Sequence, residues 1–108
     1  MGVIVADDSV AAASRALRDA QIEHDLLGAP DGEELSHRTA LVAATLAKGL
    51  EFDHVVVLEP DDIVAAEPSR WIGLRRLYVV LTRAVSGLTV FHAEDLPVEL
   101  AGVALTDW

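Results

Sequence analysis

The sequence contains no cysteine, one lysine and one methionine, and aromatic residues make up 5% of it. Without cysteine there are no disulfides and no thiolate metal sites, which fits a reducing compartment. Eight basic residues, seven of them arginine, face 18 acidic ones, for a net charge of -10 and a pI near 4.5. Nucleic-acid binding draws much of its affinity from basic groups meeting phosphates. Such a chain is therefore expected to bind nucleic acid poorly by itself, unless its few arginines gather on one face. No apolar run approaches the roughly 20 residues of a membrane span. Met1-Gly2-Val3 also lacks a basic region ahead of an apolar one, so a cytoplasmic, unsecreted protein is expected. Also missing are a Gly-x-x-x-x-Gly-Lys phosphate loop, a nucleophile elbow, internal repeats and low-complexity segments. The histidines His24, His37, His54 and His92 show no metal-ligand spacing, and structural or solvated roles are expected, with no metal site.

What is present indicates a well-buried fold. The chain of 108 residues is 52% hydrophobic with a mean hydropathy of +0.35, long enough for one core and too short for two. Its centre is Leu41 to Glu59, in which two apolar runs bracket a charged loop. Thr39 to Ala44 reads as a strand leading in, and Val55 to Leu58 as a strand leading out. Continuous β-branched runs suit a parallel sheet covered on both faces. The loop carries Lys48, Gly49, Glu51 and Asp53 to one edge of that sheet, where open α/β folds bind ligands. An acidic group there can accept from a ribose hydroxyl or hold a cation, and a glycine lets backbone approach a ligand. The plainer alternative is an ordinary loop with solvated Lys48 and Asp53 and with Glu51 capping the next turn.

Before this centre, Val3 to Ala6 reads as a buried strand, and Asp7-Asp8-Ser9 as the N-cap of a helix beginning near Val10. Val10, Ala13, Leu17 and Ala20 form its buried stripe, leaving Ser14, Arg15, Arg18 and Asp19 to water. Glu23 to Leu27 reads as an edge strand, Gly28 to Gly32 as a turn, and Glu33 to His37 as a loop. After the centre, Pro60 starts a short helix through Ala66. Ser69 then caps the longest helix, about Trp71 to Val85. Leu74, Leu77, Tyr78 and Leu81 share one side of it, while Val79 and Val80 make the other apolar too, so burial nearly all round is expected. Ser86-Gly87 ends it, Leu88 to His92 forms a last strand, and Glu94 to Trp108 is a tail with a turn at Val98 to Leu100. Arg76 and Arg83 lie two turns apart and need anionic partners. A carboxylate of the same domain, a ligand phosphate, or a carboxylate across an interface would each serve.

Two stretches carry a resemblance. Ala47-Lys48-Gly49-Leu50-Glu51-Phe52-Asp53 and Leu77-Tyr78-Val79-Val80-Leu81-Thr82-Arg83-Ala84, in this order with a strand and helix between them, resemble the two C-terminal signature motifs of the UvrD/Rep-type superfamily 1 helicases. The resemblance covers Leu41 to Ala93. It implies a RecA-like, three-layer α/β fold with a mainly parallel sheet flanked by helices. Residues 1–108 would be a single UvrD-like helicase C-terminal domain, a fragment of a longer ATP-dependent DNA helicase. The partner would be the N-terminal lobe of the same polypeptide, which carries the phosphate loop and holds most of the Mg2+, with ATP in the cleft between lobes. Arg83 would be the arginine finger that steadies charge developing on the γ-phosphate. Glu51 would contact the nucleotide, with Gly49 and Lys48 shaping its loop, and Tyr78, Thr82 and Arg76 would support the helix that aims Arg83.

The chain departs from the pattern in two places. A threonine and a histidine that relatives use for single-strand contact are replaced by Ala43 and Thr45, the positions where a weak nucleic-acid contact would fall. Acidic residues before the second motif's arginines are replaced by Ile72, Gly73 and Leu74. With Gly73-Leu74-Arg75-Arg76-Leu77-Tyr78, this looks most like the helicase IV and RNA-polymerase-associated branch. An alternative from another class is a non-catalytic interaction domain on the same fold, binding a basic protein or RNA polymerase. In either case the chain by itself is expected not to hydrolyse ATP.

Overall fold

The computed structural model describes residues 1–27 and 38–93. Their elements run β1 (Gly2–Val5), α1 (Val10–Asp19), β2 (Asp25–Leu27), β3 (Ala40–Ala43), β4 (Phe52–Leu58), α2 (Pro60–Ala65), α3 (Arg70–Leu81) and β5 (Ala84–Phe91). The strands form an all-parallel five-stranded sheet in the order β2-β3-β1-β4-β5. The fold is α/β, as the β-branched runs lead one to expect.

Parallel strands are covered on both faces, and here the two faces divide the core. Ile4, Val42, Val55, Val57 and Val90 point toward α2 and α3, meeting Ile63, Val64, Leu77 and Val80. Val3, Val5 and Leu41 point the other way, toward Ala13, Val10 and Leu17 of α1. Helices and sheet thus make three layers.

Several expectations need correction. The long helix ends at Leu81 and does not reach Val85; Ser86 and Gly87 lie inside β5. The chain turns at Thr82 and Arg83 because Ala84 pairs with Phe52 and the ladder to β4 then runs on to Phe91. A ladder of six paired positions between two strands outweighs a few residues of helix propensity. Nor is α3 buried all round. Gly73, Leu77 and Val80 are buried and Leu74 and Leu81 pack on the core, but Tyr78 and Trp71 are exposed. Ser14 does not face water: it is buried, with its hydroxyl 2.8 Å from Nε2 of His24. Asp7 to Ser9 form a short 3-10 turn in which Ser9 makes no capping bond. Ser69 does cap α3, accepting from the backbone N–H of Ile72 at 3.2 Å. The expected turn at 28–32, the loop at 33–37 with His37, and the tail at 94–108 lie outside the described residues.

Candidate functional site at the amino-terminal edge of the sheet

The two motif stretches meet through the strand ladder. The backbone N–H of Phe52 donates to the carbonyl of Arg83 at 3.0 Å, and Phe52 is in register with Ala84. Glu51 and Arg83 therefore occupy equivalent positions, each immediately before the start of one of two adjacent strands. This is the amino-terminal edge of β4 and β5, not the carboxyl edge that open α/β sheets most often use. The loop from β3 causes the difference: a 3-10 turn at Ala44–Leu46 and the segment 47–51 carry the chain back to the opposite end of the sheet before β4 begins.

Arg83 is half-buried, and its guanidinium is held by neutral acceptors. Nε donates to the carbonyl of Val79 at 2.9 Å, Nη1 reaches the carbonyl of Leu50 at 3.5 Å, and Nη2 lies 3.3 Å from Oγ1 of Thr82. Among the described residues no carboxylate pairs with it. Its charge is thus oriented by main-chain dipoles and left uncompensated, an arrangement that favours an anion. The Thr82 hydroxyl lies 2.9 Å from the carbonyl of Tyr78 and 3.0 Å from that of Val79, satisfying the open end of α3 while bracing Arg83. Tyr78 contributes here only through its main chain, since its ring is exposed.

Around Arg83, Lys48 and Glu51 are exposed, and neither side chain has a partner among the described residues. Gly49 sits at φ +86° with nothing within 4 Å of where a Cβ would be. Space does not limit this position; backbone conformation does. Gly49→Ala is accordingly expected to cost about 1 kcal/mol, read as a lower urea midpoint at unchanged slope. Arg76 takes the plainer of its alternatives: Nε donates to Oε1 of Glu67 at 3.0 Å in a partly buried pair.

Ala43 and Thr45 are elsewhere, at the carboxyl ends of the strands. Where β1 and β3 end side by side, their connections leave for opposite faces, and a crevice opens between Asp7, Asp8, Thr45, Glu67 and Arg76. Asp7 closes on Thr45, accepting from its backbone N–H at 3.1 Å and from its hydroxyl. With Asp7 there, Thr45 presents a carboxylate to anything that approaches. Sequence reasoning missed this contact, which joins residues 38 positions apart without any local signal. It also missed Trp71 and Arg75, which share a stripe of α3 with Tyr78; their spacing of four and three residues was the available sign.

No family model matches the chain, and a search of curated proteins yields no significant match. Among solved structures, the C-terminal domain of a possible DNA helicase from Lactobacillus plantarum WCFS1 superposes with a TM-score of 0.75 at 25% sequence identity. That likeness covers 98% of this chain and 66% of the other. The chain, a three-layer α/β domain with an all-parallel sheet, is thus similar over nearly its whole length to the C-terminal domain of a possible DNA helicase.

Proposed function

We propose that this chain is the second motor lobe of an ATP-dependent superfamily 1 helicase or translocase of the UvrD/Rep kind. The observation that carries the reading is the pairing of Phe52 with Arg83 and Ala84. It sets a carboxylate, Glu51, and an arginine without a carboxylate partner among the described residues, Arg83, at the starts of neighbouring strands. A nucleotide suits those groups: a guanidinium for the terminal phosphate and a carboxylate for a ribose hydroxyl or the phosphate side. ATP when bound supplies the phosphoryl group that water attacks. Arg83 stabilises the charge that develops there, in the manner of an arginine finger. Glu51 and the backbone at Gly49 position the nucleotide, and Thr82 holds the end of α3 from which Arg83 projects. The phosphate loop and most of the Mg2+ coordination belong to the partner lobe of the same polypeptide. Hydrolysis in the cleft then drives movement on nucleic acid or remodelling of a complex.

The acidic crevice of Asp7, Asp8 and Glu67 favours a second reading, an interaction domain that binds a basic protein on this fold. Binding by the isolated chain does not separate the two readings, and both expect it to show no turnover. The 108 residues by themselves are expected to show no ATP hydrolysis, measured as phosphate release. Turnover that disappears on Arg83→Ala would show the chain to be a complete ATPase and overturn the lobe assignment. A phosphate-loop motif upstream in the same coding sequence is required by the motor reading and not by the interaction reading.

A further inference from the structure

We propose that Lys48 is an acylation site, its amine taking the acyl group of a small acyl phosphate that Arg75 holds by its phosphate. The modification does not rest on the motor-lobe reading.

Lys48 is the one lysine among the eight basic residues of the chain. It differs from the seven arginines in chemistry, since an amine that has given up its proton is a nucleophile and a permanently charged guanidinium is not. The backbone on either side of it is fixed. Ala47 is fully buried and donates its N–H to the carbonyl of Ala44 at 3.2 Å, while Leu50 packs on the core and donates to the carbonyl of Ala47 at 3.1 Å. The side chain between these anchors is exposed and has no partner among the described residues. It lines a groove of about 280 Å³ with Ile72, Arg75, Arg76 and Val79 of α3. Loop and helix thus set a nucleophile in one groove with two guanidinium groups.

The groove selects its ligand by charge and size. A net charge of -10 repels anions from most of the surface, whereas here cations prevail. Arg76 is occupied, because its Nε donates to Oε1 of Glu67 at 3.0 Å. Arg75 is exposed and has no carboxylate partner among the described residues, so it is the group available to a phosphate. Ile72 and Val79 offer an apolar wall to a short acyl chain. Pockets for drug-sized ligands hold about 300–1,000 Å³, and this one suits something smaller. An acyl phosphate brings both parts in one small molecule.

In the step, the Lys48 nitrogen attacks the acyl carbon, an N–C bond forms, and the C–O bond to phosphate breaks. Inorganic phosphate departs with the bonding pair and with the proton that the nitrogen releases. No oxidant or further reactant is needed. Arg75 meets the charge that gathers on the leaving phosphate, and holding donor and amine in one groove makes the attack effectively intramolecular. The product is a neutral amide, so the groove loses a cation three residues before Glu51 in the same loop.

The test uses acetyl phosphate on the 108-residue chain, with Nα-acetyllysine amide in the same solution as the reference amine. Because Lys48 is the only lysine, peptide mapping by mass spectrometry separates its acetylation from that of the amino terminus. Lys48 is expected to react about tenfold faster than the reference, the worth of one charge-assisted contact to phosphate. Arg75→Gln is expected to return the rate to that of the reference, with circular dichroism verifying that the variant remains folded. Inorganic phosphate is expected to lower the rate in the parent chain, a measurement that needs no variant. With p-nitrophenyl acetate, an uncharged donor, no enhancement is expected. A Lys48 rate equal to the reference overturns the proposal. So does an enhancement that Arg75→Gln or inorganic phosphate leaves unchanged, or one that the uncharged donor shows equally.

Discussion

Arg83→Ala in the full-length parent is expected to lower ATP hydrolysis about a thousandfold or more, as removal of arginine fingers does, while nucleotide affinity is largely kept. The expectation follows from where the positive charge is held. Its guanidinium is oriented by the carbonyls of Val79 and Leu50 and by Thr82, and five N–H donors exceed what those contacts use. Reaching a phosphate therefore replaces neutral acceptors with an anionic one and breaks no ion pair. An arginine finger acts on charge that develops in the transition state, so for that role the loss is expected in kcat rather than in binding. Lysine keeps the charge but not the planar fork, and Arg83→Lys is expected to restore only part of the rate. A purely structural arginine would behave differently. Its hydrogen bonds to the end of α3 are worth about 1–3 kcal/mol each, a shift in melting temperature with hydrolysis unchanged. Steady-state kinetics and thermal melting on the same variant therefore decide the role, and unchanged turnover would reduce Arg83 to a brace for α3.

Gly73→Ala is expected to give the largest loss of stability. Gly73 is where α3 crosses α2: a Cβ built there would lie 2.3 Å from the carbonyl oxygen of Val64 and 2.8 Å from its Cα. Both are backbone atoms, so no side chain can swing aside, and the helices must separate around the buried Ile63, Val64, Leu77 and Val80. Overpacking of this kind costs about 3 kcal/mol at the upper end of its usual range. Alanine regains about 1 kcal/mol of helix propensity over glycine. The net loss of about 2 kcal/mol corresponds to a melting temperature lower by about 10 °C for a domain of this size. Arg75→Ala two residues away, on the exposed side, should change stability by no more than about 0.5 kcal/mol. A Gly73→Ala variant as stable as the parent would mean that α2 and α3 do not pack as closely as this.

How much of this was legible follows from the range of each signal. The buried strands were readable because runs such as Val55-Val56-Val57 suit a strand covered on both faces. The start of α3 was readable because Ser69 is a local cap. Its end was not. Residues 82–87 continue a passable helix pattern, and only pairing with β4, 32 positions away by the Phe52 to Ala84 register, draws them into a strand. The exposure of Tyr78 failed for a related reason. A helix with apolar residues on two sides does not announce which side meets the sheet, and the glycine at 73 decides it by admitting α2 on one side alone. At the site, Lys48, Gly49, Glu51 and Arg83 were singled out by type and spacing, whereas the edge of the sheet they occupy was expected wrongly. Arg76 needed a carboxylate, but nothing local named Glu67.

By itself the sequence determined the layer composition, the alternation of strands and helices, and the two stretches that carry the helicase resemblance. Those properties rest on side-chain type and on interactions within a few residues, where the chain's own connectivity brings the groups together. Only the tertiary structure decided that Glu51 and Arg83 immediately precede neighbouring strands, that Asp7 occupies Thr45, and that Lys48, Arg75 and Arg76 line one groove. Each of these joins segments far apart in sequence. Their meeting depends on strand order and register, which the whole core sets at once through the burial of both faces of the sheet.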